Sequence, residues 1–300
     1  MRRREAATCP ERELCPHVKW SSPHVRVENM KPLWNTPPPC LVLSRENIHI
    51  WRAVLDVPEK RIEDLKKSLS EDEIIRADRF RYEQDKNRFI SARGILRLIL
   101  ADYLSVEPGA LRFDYENEGK PRLRSITGKE DIQFNLSHSE GLALYVFTRG
   151  YEAGVDLERI RNFPEMDQIV EQLFAAGERA LFGALPSGRK QKTFFNWWTR
   201  KEALTKATGK GLSYPLERIY FPPTDDKSTG SLKMPVCEGK QTKWSIWDVQ
   251  PAKDFAGAVV VETGNWNVQY WQWSGKTKNY LENIKSNGQS FTASKQVKQI

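Results

Sequence analysis

Two charged segments about 40 residues apart, each in an apolar context, restrict the fold of this chain more than any other feature. The first runs from FNLSHS (134–139) to GVDLE (154–158), where apolar residues alternate with Asp156 and Glu158. A period of two predicts a half-buried strand with both carboxylates on one face. The repulsion between these carboxylates favours a nearby cation such as Mg²⁺, although a solvated strand with an acidic outer face fits the same pattern.

The second segment, residues 192–208, has the apolar stripe of a helix, which glycines at 209 and 211 are expected to end. Trp198, Glu202 and Lys206 are four residues apart and therefore share one helical face. A carboxylate and an ammonium one turn apart suit metal binding, phosphate binding and proton transfer. An ordinary Glu–Lys pair on a helix surface is the alternative interpretation.

Ser137, His138 and Ser139 follow a predicted strand at residues 131–136. They are compatible with a turn, because serine hydroxyls readily bond to nearby backbone. A Ser–His hydrolase does not fit, because adjacent strand residues point to opposite faces and the chain has no G-x-S-x-G segment. A charge-assisted contact from His138 to a phosphate is the more natural role. The two segments together thus point to phosphoryl-type transfer.

The order N-x-S-H-S, G-x-D-x-E and W-x-x-K-E-A-x-x-K with G-K-G-L resembles the 4′-phosphopantetheinyl transferase superfamily. It is similar to the long, two-lobed, surfactin-synthetase-activating type, in the W-K-E-A form, and the resemblance spans residues 48–260. The resemblance implies an α+β fold of two pseudo-equivalent lobes, each an antiparallel sheet packed on a long helix. Coenzyme A is then expected in the cleft between the lobes.

The same resemblance implies the metal site and the catalytic residues. Asp156, Glu158 and Glu202 match carboxylates that ligate Mg²⁺, with Mn²⁺ as a possible substitute. Lys206 matches a lysine that meets the phosphates and protonates the leaving group, and Glu202 is the candidate for removing the proton of the attacking serine, directly or through water.

The residues that match coenzyme A contacts lie mostly in the first lobe. Ser137 and His138 match the pair at the phosphate end of the nucleotide. The full implied set is Arg76, Arg88, Lys120, Ser137, His138 and Lys206. Glu73 falls where some relatives carry a lysine, so a weaker or differently built clamp on the 3′-phosphate is expected.

The implied activity is that of a Mg²⁺-dependent holo-[acyl-carrier-protein] synthase. It transfers the 4′-phosphopantetheine group of coenzyme A to a serine of an apo acyl, polyketide or peptidyl carrier and releases 3′,5′-ADP. Two alternatives use the same residues: a metal-dependent phosphodiester or pyrophosphate hydrolase, and a non-catalytic module that binds coenzyme A.

Charge and composition define the outer parts of the chain. The net charge is +8, but residues 30–273 carry 36 Lys and Arg against 34 Asp and Glu, so the basic excess lies largely in the tails and argues against a nucleic-acid partner. We expect a disordered extension at 1–45, an N-terminal lobe at 46–150, a C-terminal lobe with the metal site at 151–273, and a polar tail at 274–300. Met30 is a plausible native start. In the C-terminal lobe the sequence predicts helices at 166–185 and 192–208 and a strand near 218–221.

The four cysteines are scattered, which favours reduced thiols in a cytoplasmic protein. Cys9, Cys15, His17 and His24 do not match the spacing of a common zinc finger. No apolar run approaches the length of about 18 residues that a membrane span needs. A cytoplasmic, monomeric enzyme without a membrane partner is therefore expected.

Overall fold

The computed structural model describes residues 34–115, 119–124, 131–221, 231–232 and 244–275, which form ten strands and six α-helices. The strands are β1 (Asn47–Val54), β2 (Phe113–Tyr115), β3 (Pro121–Leu123), β4 (Ile132–Ser139), β5 (Leu142–Arg149), β6 (Ala153–Arg159), β7 (Ser231–Leu232), β8 (Trp244–Val249), β9 (Phe255–Glu262) and β10 (Asn267–Gln272). The helices are α1 (Glu59–Lys66), α2 (Glu71–Ala77), α3 (Glu83–Leu104), α4 (Met166–Leu173), α5 (Ala176–Ala184) and α6 (Ser187–Thr208).

The first large sheet has the strand order β10-β1-β5-β4 and packs against α3. The central strand β5 shows why the sheet is buried on both faces. Its Tyr145 and Phe147 join the core formed with α3, whereas Leu144 and Val146 lie in a second core shared with the other sheet. Alternating side chains on a strand produce this division.

The second large sheet has the strand order β6-β9-β8-β7, is antiparallel throughout, and packs against α6. Val155 and Leu157 of β6 face the first sheet, and Ala258 and Val260 of β9 belong to the core that includes α6. The layers therefore run helix, sheet, sheet, helix. The predicted α+β class, with a long helix on each sheet, is confirmed.

Strand β10 adds a feature that the sequence did not indicate. It pairs in parallel with β1 in the first sheet, whose other pairings are antiparallel. The lobe boundaries at residues 150 and 273 stay a prediction, and β10, within 151–273, contributes to the sheet of the first lobe.

Several predicted elements differ from the structure for local reasons. The strand predicted at 218–221 is wrong, because a 3-10 turn, Leu216–Arg218, occupies its start and residues 219–221 are not in a strand. The helix predicted at 166–185 is two helices, separated where the Glu178 carboxylate accepts a hydrogen bond from the backbone N–H of Ala175.

The strand predicted at 131–136 continues through Ser139, so the Ser-His-Ser segment is part of β4 and forms no turn. Of the predicted disordered extension at 1–45 and polar tail at 274–300, residues 1–33 and 276–300 lie outside the described residues, as does the cysteine–histidine group near the N-terminus. Residues 34–45 are described, and Leu43 among them is buried in the core of the first sheet and α3. Within the described residues, no helix is both long enough and apolar enough to cross a membrane.

Candidate active site

Strand β6 presents its carboxylates towards α6. Asp156 is only 3% exposed, and Glu158, two residues further along the same face, is partly buried. Gly154 permits this arrangement because a Cβ at that position would lie 2.0 Å from the carbonyl oxygen of Ala203 in α6. The predicted sharing of one face by the two carboxylates is confirmed, and that face is turned to a helix and not to solvent.

Helix α6 places the Lys206 ammonium directly on this strand. Its Nζ lies 2.6 Å from Asp156 Oδ1 and 3.1 Å from the Ser137 hydroxyl oxygen. Ser137 in turn donates a hydrogen bond of 2.9 Å to the same Asp156 oxygen. Three residues from β4, β6 and α6 thus meet at one carboxylate oxygen.

Burial and mutual repulsion disfavour the ionised forms of the neighbouring carboxyl groups. Burial raises the pKa of Glu202, and the negative charge of Asp156 raises it further. Burial and the charge of Asp156 likewise raise the pKa of Glu158. The three carboxylates therefore lie within electrostatic reach of one another, and a cation among them would relieve the repulsion.

The chemistry of these donors fits a hard divalent cation, because Mg²⁺ takes oxygen ligands and shares them with phosphates. Asp156 Oδ2 is buried and has no hydrogen-bond partner in the described structure, so one ligand oxygen is available. The positions are not a closed ligand set, however: no group of three or more His, Cys, Asp or Glu among the described residues is arranged to hold a metal ion.

A cavity of about 350 Å³ opens beside this cluster, within the size range of small-molecule sites. One wall comes from β4 and the residues that lead into β3, and the other comes from α6 and the glycines that follow it. The lining residues are Gly119, Lys120, Pro121, Asn135, Leu136, Glu202, Thr205, Lys206, Gly209 and Gly211.

Lys120 belongs to the cavity wall but is 7% exposed and already paired. Its Nζ lies 2.9 Å from Glu152 Oε2 and 3.1 Å from the carbonyl oxygen of Ala153. A phosphate contact would therefore add to, or compete with, the contact to Glu152.

His138 and Arg88 lie near the same cluster. Partial desolvation, together with the positive charges of Lys206 and Arg88, lowers the pKa of His138, although the side chain keeps exposed surface. Arg88 makes a bidentate ion pair with Asp56, at 2.7 and 2.9 Å. The Arg88 guanidinium is thereby held near the start of β5, where Asp56 lies beside Gly141.

Arg76 and Glu73 make contacts within the first lobe. Arg76 is exposed, with its guanidinium 5.5 Å from the ring centre of Phe89. Glu73 is buried and bonded to Arg93 at 2.7 Å and Arg97 at 2.5 Å. Glu73 therefore joins α2 to α3, and the expectation of a weaker or differently built clamp on the 3′-phosphate stays a prediction.

The sequence also left unrecognised a buried ion pair next to Glu202. Lys201 and Glu178 are both 0% exposed and 2.9 Å apart, and Lys201 also donates to the carbonyl oxygens of Leu216 and Ile219. One signal was available: Lys201 lies four residues after Trp197, on the apolar stripe of the helix, where a lysine must be paired when buried.

Comparisons with known proteins agree over most of the chain. Residues 152–260 match the family model described as the 4′-phosphopantetheinyl transferase superfamily, and residues 57–147 match one described as 4′-phosphopantetheinyl transferase, N-terminal. The chain is 38% identical over 240 residues to the 4′-phosphopantetheinyl transferase HetI of a Nostoc species, covering 80% of this chain and 98% of that protein. It is 32% identical over 176 residues to the 4′-phosphopantetheinyl transferase psf-1 of Bacillus pumilus, and this match covers 59% of this chain and 72% of that protein.

Proposed function

The chain belongs to the 4′-phosphopantetheinyl transferase superfamily, and we propose that it transfers 4′-phosphopantetheine from coenzyme A to a serine of an apo carrier protein, releasing 3′,5′-ADP. The observation that carries the proposal is the meeting of Ser137, Asp156 and Lys206 beside a cavity that Glu202 also lines. A carboxylate cluster next to an ammonium suits a diphosphate that must be held and cleaved.

We propose that Asp156, Glu158 and Glu202 hold Mg²⁺, with Mn²⁺ able to replace it. Two observations support this: the unpartnered Asp156 Oδ2 and the raised pKa values of Glu158 and Glu202. When bound, the ion would supply positive charge next to the diphosphate.

The reaction needs one proton acceptor and one cationic group at the leaving oxygen. In this proposal Glu202 takes the proton of the carrier serine, directly or through water, as the serine oxygen bonds to the β-phosphorus. The bond from that phosphorus to the bridging oxygen breaks, and 3′,5′-ADP leaves with the oxygen. Lys206 donates a hydrogen bond or a proton to this oxygen. The raised pKa of Glu202 suits the role of proton acceptor, and the position of Lys206 beside Asp156 suits the role of donor.

We further propose that Lys120, His138 and Arg88 contact the phosphates of coenzyme A, with Arg76 at the outer end. Lys120 and Ser137 are engaged with protein groups, so their proposed contacts require that they share or exchange those partners. Charge-assisted bonds from such groups are the strongest that a phosphate can accept in a protein.

The partner is proposed to be an acyl, polyketide or peptidyl carrier, whose acidic recognition helix would meet local basic patches. That the protein is cytoplasmic and monomeric, and uses neither nucleic acid nor membrane as a partner, stays a prediction from the distribution of charge and cysteine.

The test is intact-mass analysis of an apo acyl carrier protein and an apo peptidyl carrier domain, incubated with the protein and coenzyme A, with and without Mg²⁺. We expect a metal-dependent gain of one phosphopantetheine on the carrier. Hydrolysis of coenzyme A without carrier modification would instead support the hydrolase, and binding without turnover would support a binding module.

Glu202→Gln is the first variant for this assay. Because the amide neither accepts a proton nor carries charge, we expect the transfer rate to fall by about 100-fold or more. Glu63→Gln, on the exposed surface of α1, is the matched control and should transfer at the wild-type rate. Equal rates for the two variants would remove Glu202 from the proposed mechanism.

A further inference from the structure

Strands β4 and β6 are the edge strands of two different sheets, yet they lie side by side. Among the described residues, no backbone-to-backbone hydrogen bond joins them. An edge strand leaves a row of backbone N–H groups without ladder partners, and buried N–H groups need acceptors. Side chains of β4 must therefore supply the hydrogen-bond acceptors that the carbonyl groups of a paired strand would supply.

A polar row, defined here as Asn135, Ser137 and Ser139, meets this need. These residues are spaced by two along β4 and so point to the same side. Asn135 Oδ1 accepts a hydrogen bond of 3.0 Å from the N–H of Val155, and Ser139 Oγ accepts one of 3.0 Å from the N–H of Arg159. The two acceptors thus hold the backbone of β6 on either side of its carboxylates.

The same row also reaches the carboxylates themselves. Ser137 donates to Asp156 Oδ1, and Ser139 donates to Glu158 Oε2 at 3.2 Å. Because Ser139 accepts from the backbone and donates to a side chain, its one hydroxyl fixes both the strand and the carboxylate. Each carboxylate of β6 is therefore matched to its own serine of β4.

This arrangement opposes a specific tendency of the cluster. Glu158 and Asp156 repel one another, and a partly exposed Glu158 side chain would otherwise rotate away into solvent. The hydrogen bond from the Ser139 hydroxyl restrains the Glu158 carboxylate beside β4, within electrostatic reach of Asp156. The orientation is then present before any cation arrives, which lowers the cost of binding one.

We propose that Asn135 and Ser139 are positioning residues that hold Asp156 and Glu158 in the geometry that a divalent cation needs. In this role each residue acts through β6, by its hydrogen bonds to the strand and its carboxylates. The inference rests on the proposed function only in taking these carboxylates as the cation ligands.

The test measures binding of Mn²⁺ to the free protein by electron paramagnetic resonance, without coenzyme A or carrier. Loss of an outer hydrogen bond to a metal ligand costs about 10–100-fold in affinity, so we expect Ser139→Ala to weaken Mn²⁺ binding by about tenfold or more. Ser139→Thr, which keeps the hydroxyl, should restore the affinity to within about threefold of wild type. Asn135→Ala should weaken it in the same direction.

Ser91→Ala is the matched control, because the Ser91 hydroxyl is buried in α3 and makes no hydrogen bond in the described structure. It should bind Mn²⁺ as the wild type does. Amide hydrogen exchange supplies a second measurement: the N–H of Arg159 should exchange faster in Ser139→Ala, whereas that of Val155 should do so in Asn135→Ala.

A folded Ser139→Ala protein with wild-type Mn²⁺ affinity would overturn the proposal, as would a wild-type protein that binds no Mn²⁺. Affinity lost equally in Ser139→Ala and Ser139→Thr would also overturn it, because the hydroxyl would then not be the cause. The carrier-modification assay on wild-type protein decides the proposed function separately, so the two ideas can fail independently.

Discussion

At the scale of single residues, Asp156 shows which part of the site was accessible to sequence reasoning. The alternation in GVDLE and the four-residue spacing in the helix predicted that Asp156, Glu202 and Lys206 would project from ordered faces. In the structure Glu202 and Lys206 line the cavity, and Asp156 Oδ1 lies 2.6 Å from Lys206 Nζ. The bond from Ser137 to Asp156 was not predictable in the same way. It depends on two sheet edges meeting, and no pattern within either segment encodes that contact.

Gly154 is the residue on which the approach of strand and helix depends. A methyl group there would lie 2.0 Å from the Ala203 carbonyl oxygen and 2.4 Å from the Ala207 backbone nitrogen, both in α6. Backbone atoms cannot give way as a flexible side chain can, so α6 would have to move outward. Such a movement would also shift Lys206 relative to Asp156.

We therefore expect Gly154→Ala to lower the free energy of unfolding by about 1–3 kcal/mol, the usual cost of overpacking, and to reduce carrier modification. Urea denaturation and the mass assay measure the two effects. Gly188→Ala, in α6, is the control, since a Cβ there meets no atom within 4 Å. Equal stability of the two variants would show that α6 is not held at this distance.

At the scale of elements, the long helices and the central strands were predictable, whereas their ends and interruptions were not. The helix predicted at 192–208 begins five residues earlier, at Ser187. The prediction missed this start because the first turn lacks the apolar stripe that marks the rest of the helix. The wrong strand at 218–221 is instructive, because the carbonyl oxygen of Ile219 within it and that of nearby Leu216 accept hydrogen bonds from Lys201. Bonds to a distant side chain thus override a local preference for strand.

His49 joins β1 to α3 through a proton-dependent contact. Its ring is fully buried, and Nδ1 lies 2.7 Å from the hydroxyl of Tyr103. That hydroxyl also accepts a hydrogen bond from Trp51, so its own proton is available for the neutral His49 ring. Burial accordingly lowers the pKa of His49 from 6.5 to about 4.

This lowered pKa predicts a loss of stability in mild acid. Between pH 6.5 and pH 4 the unfolded chain binds a proton at His49 that the folded protein does not, so the contribution present above pH 6.5 is lost as the pH falls. The difference in the pKa of His49 between the unfolded and folded states corresponds to about 3 kcal/mol in the free energy of unfolding. Unfolding of wild type and His49→Asn, compared from pH 7 to pH 4, should show a steeper loss in the wild type; parallel curves would contradict the assignment.

At the scale of the whole molecule, the return of β10 to the first sheet makes the two halves interdependent. β10 contributes Trp271 and is followed by Trp273, and both pack against the core of the first sheet and α3. No local pattern of residues predicts this pairing, because the parallel neighbour lies more than 200 residues away along the chain.

We expect a chain that ends at residue 264 to be less stable throughout, because β1 loses a strand partner and the core loses two indoles. A chain that ends at residue 275 keeps β10 and is the control. The midpoint of urea denaturation should fall markedly in the shorter chain alone. An unchanged midpoint would show that β10 is dispensable to the first sheet.

The position of β10 has a consequence for biosynthesis. A ribosome releases β1, β5 and β4 long before it has made residues 267–272, so the emerging first half must wait with one edge of β1 uncovered. An uncovered edge can pair with other chains, which makes nascent and prematurely terminated products of this protein the species most exposed to aggregation and to chaperones. Emergence of residues 267–272 from the ribosome is then the event that covers the open edge of β1.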